Sequence, residues 1–258
     1  MKKFKIRCSA IGNIITRNEI TEKQLIELEN LEKKEKLTNL QEIKLYDLKY
    51  KRDNWTLSEG AKTYCKDWLK GQLFDYEKIF RSKYTDKGNI MEYESIDFIA
   101  EQLGYGFLLK NEEHFSDEYM QGTPDIILKS EVIDVKNSWD ANTYPFFDDS
   151  YNKDYYWQLQ GYMNLTGKDK AKLIFCLMDT PEHLIHKEAY WYSMNLGYDE
   201  LEKEIYDKFL HNLTYKNVPN KYKLRVFEIE RKENDIQRIK ENVEACRIYI
   251  DKLLKTLS

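Results

Sequence analysis

The sequence predicts a mixed α/β fold, a central mixed β-sheet flanked by helices, and three observations carry that expectation. Residues 121–138, QGTPDIILKSEVIDVKNS, hold two Ile- and Val-rich runs, Pro124–Lys129 and Val132–Asn137. The polar turn Lys129-Ser130-Glu131 joins them, and their composition is that of strands buried in a sheet. A further run, Ala171–Met178, alternates at Leu173, Phe175 and Leu177. The order helix, strand, paired strands, helix, strand, strand then describes a mixed sheet rather than a doubly wound one.

The chain has 258 residues, enough for one large domain or two small ones with a sizeable core. Hydrophobic residues make up 41% and charged residues 33%, the balance of a water-soluble chain with exposed helices. No run of 18 apolar residues exists, and the start MKKFKIRCSAIG lacks an apolar leader segment, so no membrane partner is expected and the chain should stay in the cytoplasm. Cys8, Cys65, Cys176 and Cys246 are far apart and fit neither a zinc site nor an iron–sulfur cluster; free thiols are expected. His114, His183, His186 and His211 show no ligand spacing, and Pro181 argues against a helix presenting His183 and His186 together. The net charge of −4 is unevenly spread: residues 1–90 carry 20 Lys/Arg against 14 Asp/Glu, and residues 91–258 carry 21 against 31. An acidic half suits carboxylates that hold a metal, and a basic half suits phosphates.

Along the chain, Arg7 stands before a short helix expected from Ser9. The pair reads either as a phosphate cradle or as a plain N-cap beside a surface arginine. Two capping boxes, Thr21-x-x-Gln24 and Thr38-x-x-Gln41, open a helical hairpin over about 21–52. Its apolar stripes are Leu25, Leu28, Leu31 and Leu40, Ile43, Leu48. Helices are expected over Ser58–Leu73, near Tyr76–Ser82, and from Gly88 to about Gln102, the last placing Glu92 in its first turns. Tyr105–Glu113 reads as a strand. Trp139–Lys153 is a long loop whose Trp139, Tyr144, Phe146 and Phe147 either stack on bases or tuck under the sheet. The helix 154–167 ends at Gly167 and puts Gln158 and Tyr162 on one face, with Gln160 off it. Glu188–Ser193 is read as the closing strand, Tyr198–Leu213 as an amphipathic helix, and Glu233–Leu257 as a helix with a heptad seam.

Chemistry concentrates in the first strand pair. Side chains alternate along a strand, so Asp134 and Lys136 share one face while Ile133 and Val135 share the other. With Asp125 opposite, two carboxylates and an ammonium converge at a sheet edge, where charges are costly unless paired or bound to a cation. Two hard oxygen ligands beside a lysine suit Mg²⁺ and a phosphodiester; an Asp–Lys pair on the solvent side of an edge strand is the alternative.

Gly88-x-x-x-Glu92, Gly122-Thr-Pro-Asp125, Asp134-Val-Lys136 and Gln158-x-x-x-Tyr162, in that order, resemble the PD-(D/E)XK nucleases. QLQGYMNLTG is similar to the glutamine helix of the phage lambda exonuclease and RecB-like branch. The resemblance spans about 88–165, with strands to 193 fitting the same core. It implies a restriction-endonuclease-like core within a single nuclease domain over 1–258, with the 21–52 hairpin and helices at about 198–257 as additions. It implies Mg²⁺, with Mn²⁺ as a substitute, on Glu92, Asp125, Asp134 and the Val135 carbonyl. Lys136 would orient or deprotonate the attacking water, while Gln158 and Tyr162 would hold that lysine and the nucleic-acid backbone. Glu94 rivals Glu92, and Asp134 stands where many members carry Glu. Arg7 and Ser9 resemble the 5′-phosphate contact, with Gln160 a further DNA contact. The implied activity is exonuclease action on linear duplex DNA, 5′ to 3′, in phage-type recombination inside a bacterial host. Implied partners are DNA, a single-strand annealing protein and sister subunits in a ring-like trimer. The alternatives are an endonuclease of the same fold, restriction-like or junction-cleaving, and a DNA-binding assembly protein without catalysis.

Overall fold

A computed structural model describes residues 1–79 and 81–257. In chain order the elements begin with β1 (Ile6–Arg7), α1 (Ile11–Ile15), β2 (Arg17–Asn18), α2 (Glu22–Glu32), α3 (Asn39–Asp53), β3 (Thr56–Leu57) and α4 (Glu59–Leu73). There follow α5 (Lys83–Leu103), β4 (Phe115–Ser116), β5 (Met120–Gly122), β6 (Ile126–Ile127), β7 (Glu131–Asn137), α6 (Lys153–Thr166) and β8 (Lys170–Cys176). The chain ends with α7 (Glu182–Asn195), α8 (Lys203–Asn212), β9 (Leu224–Glu230) and α9 (Glu233–Lys255). Among the described residues no helix is long and apolar enough to cross a membrane. The residues group into two compact units: Met1–Ile6, Ala10–Glu77 and Asn234–Ser258 form one, Arg7–Ser9 and Lys78–Glu233 the other. All four sequence motifs fall in the second.

In the first unit, α2 and α3 form the expected hairpin. Thr21 accepts from Gln24 N and Thr38 from Gln41 N, each glutamine side chain accepting in return from the threonine backbone N–H. Leu28, Leu31 and Leu48 make its small core, whereas Leu40 and Ile43 of the expected stripe face solvent. Ser58 caps α4 as its hydroxyl accepts from Ala61 N. The seam of α9 is buried at Ile236, Ile239, Val243, Cys246 and Ile250. Fully buried Asn242 on that helix donates to the Ile14 carbonyl and accepts from Arg17 Nε. The short helix expected near Tyr76–Ser82 includes Phe80, outside the described residues; the described part is not helical. Ser82, with Thr85 in a capping box, instead starts α5 at Lys83, so Gly88 lies inside the helix and does not begin it.

The second unit is built on a four-stranded sheet, β6-β7-β8-β9. β6 and β7 are the expected antiparallel pair, with Ile126 opposite Ile133, and Leu128 N donating to the Glu131 carbonyl closes the turn. β8 runs parallel to β7, with Asp134 opposite Leu173 and Lys136 opposite Phe175, and α6 supplies the crossover that parallel pairing requires. Ile96, Ile99 and Ala100 of α5 pack on Ile133, Val135 and Ile174, so α5 covers one face of the sheet. Gln158 of α6 meets Asp134 on the other. Gly167 ends α6 at φ 66°, a left-handed backbone that favours glycine.

Several expectations are corrected. Glu188–Ser193 lies inside α7, which Pro181 initiates; proline is tolerated there because the first N–H groups of a helix have no partner to lose. His183 and His186 are therefore both helical. The closing strand is β9, antiparallel to β8 with Leu173 opposite Phe227. Tyr105–Glu113 is not a strand: Asn111 N donates to the Asp125 carbonyl and its side chain to the Pro124 carbonyl, while Phe107 and Leu109 stay exposed. α8 begins at Lys203 rather than at Tyr198.

Gln160 is fully buried, and it clips α6 to the end of β9. Its Nε2 donates to the Glu230 carbonyl at 2.7 Å and its Oε1 accepts from Lys232 N at 2.9 Å. That placement removes it from the expected DNA contacts. Gln160→Leu would leave both backbone groups without partners, so urea unfolding should show a loss of about 2–4 kcal/mol. Parental stability in that variant would refute the clip.

Candidate active site

Asp134 is fully buried in the middle of β7 and is held from two sides. Gln158 Nε2 donates to its Oδ1 at 2.9 Å and to the Tyr162 hydroxyl at 3.1 Å, as the shared face of residues four apart allows. Lys136 Nζ forms an ion pair with its Oδ2 at 2.7 Å, and a carboxylate oxygen with one such partner keeps a further lone pair to offer. The glutamine thus reaches the carboxylate directly and the lysine only through it.

Asp125, just before β6, accepts from Val135 N at 2.7 Å, which ties the two strands across their edge. Burial and the Asp134 charge push the Asp125 carboxyl up to about 7, against the pull of Lys136. Burial opposes the charge on Lys136, yet Asp134 and Asp125 outweigh it and hold the ammonium above its ordinary value. The lysine keeps 24% of its side-chain surface open, and its Nζ lies 5.1 Å from the Tyr155 ring centroid. These groups open into a cleft of about 450 Å³, lined among others by Tyr84, Gly88, Glu92, Asp125, Lys136 and Tyr155. Glu92 enters it from α5, paired with Lys110 at 2.8 Å, whereas Glu94 is exposed and outside the lining.

The far end of α5 is tied down by a buried cation. Lys87 Nζ donates to the carbonyls of Trp139 and Met178, just beyond β7 and β8, at 3.0 and 2.7 Å. Burial lowers its pKa to about 8. About two turns further along α5, Ser95 donates to Asn137 Oδ1 at 2.7 Å. In the loop after β7, Trp139 and Tyr144 are buried, as the tucked-under alternative expects for them, whereas Phe146 and Phe147 are exposed.

A second cleft, about 350 Å³, is lined by Arg7, Ser9, His114, Gln121, Thr123 and Tyr162. Gly122 in its wall has a packing reason to be glycine: a Cβ there would stand 2.8 Å from Tyr162 Cε1 and 3.2 Å from Cys8 Cβ. Burial pushes the Tyr162 phenol up, so it keeps its proton. Ser9 does not cap a helix. It sits in a 3-10 turn, and α1, five residues long, begins after Ala10 without a side-chain cap. Arg7 and Ser9 are therefore brought together by a cleft and not by a helix N-terminus.

Among the described residues no three His, Cys, Asp or Glu side chains are grouped as a ready metal cage. The donor pair nevertheless fits a hard divalent cation: Asp134 is fully buried, half-buried Asp125 is driven towards protonation by its desolvation and by the Asp134 charge, and Asp134 Oδ2 has spare acceptor capacity. Tyr155 and Lys110 were missed from the sequence. The spacing 155, 158, 162 places Tyr155 on the glutamine face of α6, a signal present but unread; Lys110 lies in irregular chain and has none.

No family model matches the chain, and no curated protein does. Solved structures do. A phage-related exonuclease from Haemophilus somnus 129PT superposes with a TM-score of 0.72 at 27% identity, covering 100% of this chain and 98% of that one. An alkaline exonuclease from Laribacter hongkongensis, LHK-Exo, gives 0.56 at 12% identity, covering 98% and 91%. The same LHK-Exo in complex with dAMP gives 0.50 at 14%, covering 78% and 84%; at such identities the likeness is one of fold. The four motifs lie on the elements that build the cleft, and the likeness to the phage-related exonuclease over the whole chain is consistent with the lambda-exonuclease-like branch of the PD-(D/E)XK nucleases.

Proposed function

We propose that this protein is a Mg²⁺-dependent exonuclease that hydrolyses linear duplex DNA from 5′ ends. The observation that carries the reading is the convergence of Asp125, Asp134 and Lys136 where β6 meets β7, with Asp125 and Lys136 lining a cleft and Asp134 buried behind them. Asp125, Asp134 and the Val135 carbonyl would hold the cation, with Glu92 joining from α5 on release from Lys110. Bound there, the cation supplies charge neutralisation at the phosphate and lowers the pKa of a water. Lys136 is placed to orient that water and to meet charge developing on the phosphate. Gln158 fixes the orientation of Asp134 and so of the lysine paired with it. Activity should need Mg²⁺ or Mn²⁺ and vanish in EDTA. Asp125→Ala, Asp134→Ala and Lys136→Ala should each reduce the rate at least about a hundredfold. Near-parental cleavage by folded Asp134→Ala protein would remove the assignment.

Glu92 and Glu94 are two residues apart on α5 and point about 200° apart. Glu92→Gln should cripple cleavage and Glu94→Gln should leave most of it; the reverse result would move the metal ligand to Glu94.

The second cleft supports the end preference. A 5′-phosphate against Arg7 makes a charge-assisted contact, so 5′-phosphorylated linear duplex should be digested faster than 5′-hydroxyl duplex. Arg7→Ala should erase that preference while metal-dependent cleavage persists. Strands labelled at either end, with circular DNA in parallel, read polarity and end requirement together. Equal cutting of circles and linear duplex would replace the exonuclease by an endonuclease of the same fold.

A further inference from the structure

Gly88 is the sixth residue of α5, one turn before Glu92 and on the face that lines the active-site cleft. A glycine inside a helix destabilises it relative to alanine, so its presence asks for a reason. The reasons that account for other glycines in this chain do not apply. Gly104 and Gly167 have left-handed backbones, whereas Gly88 has no positive φ. Gly71 and Gly122 have neighbours that a Cβ would strike at 2.9 and 2.8 Å, whereas a Cβ at Gly88 would meet nothing within 4 Å. The space in front of Gly88 is the cleft, bordered on the same helix face by Tyr84, Asn89 and Glu92.

We propose that Gly88 is a clearance position: the sugar–phosphate strand brought to Asp125 and Lys136 runs against its bare Cα, and a side chain there obstructs that strand. The inference rests on the nuclease reading, and it makes Gly88 a positioning residue that lets DNA settle at the depth of the carboxylates. It takes no part in bond making or breaking. Its signature is that stability and substrate affinity move in opposite directions.

Gly88→Ala and Gly88→Leu, both to good helix formers, test it on the full chain. The alanine variant should melt about 2 °C higher. Affinity for linear duplex, measured by fluorescence anisotropy in EDTA, should weaken about threefold for alanine and more than about tenfold for leucine. KM with Mg²⁺ should rise by similar factors, with kcat changing less. Parental affinity and KM in a folded leucine variant overturn the proposal while parental cleavage leaves the nuclease reading in place. A lower melting temperature for the alanine variant also overturns it, since the glycine is then structural. A parent protein that binds duplex without cutting it, with binding lost in the leucine variant, keeps the clearance role and removes the nuclease reading.

Discussion

Holding buried Asp134 and half-buried Asp125 side by side where β6 meets β7 is the constraint on which the second unit is arranged. Each buried charge costs several kcal/mol unless it is matched, and the unit supplies matches from every side. Gln158 donates to Asp134, the Val135 N–H donates to Asp125, and Lys136 places its ammonium beside both. The matching is incomplete, since Asp125 is still driven towards protonation and Asp134 Oδ2 has capacity left. Proteins rarely leave buried carboxylates in this condition without a ligand that relieves it.

Helix α5 brings the second half of the site and depends on polar ties along its first two-thirds. Lys87 binds the Trp139 carbonyl just beyond β7 and Ser95 the Asn137 side chain at its end, so the helix is indexed against the strand that carries Asp134. That register decides which glutamate sees the cleft. The Glu92–Lys110 pair keeps one carboxylate at the rim, near the other two but engaged elsewhere.

What was legible in the sequence had a local cause. Capping boxes at Thr21 and Thr38, the Ile/Val pair 124–137, Gly167 and the seam of α9 each write their structure into neighbouring residues, and each is observed. The site followed, because alternation in β7 and four-residue spacing in α6 fix which side chains can meet. Errors came where tertiary context wins. The aromatic run at Tyr190–Tyr192 suits a strand by propensity but folds into α7 behind Pro181. Leu224–Glu230 alternates and was passed over, although it is the strand that completes the sheet. Tyr105–Glu113 is irregular chain without a ladder partner, which composition does not distinguish from a strand. The burial of Gln160 had no local sign, because its partners lie 70 and 72 residues away.

The parallel pairing of β7 and β8 also bears on how the protein is made. Antiparallel neighbours can zip from a turn, but this pair waits for the whole of the α6 crossover to close behind it. The side chain that orients Asp134 rides on that same crossover. A nascent chain emerging from the ribosome therefore has both carboxylates before residue 158 is made, and the group that aims Asp134 arrives only with the crossover helix. The Asp134–Gln158 contact thus depends on closing a crossover, which no local turn can nucleate.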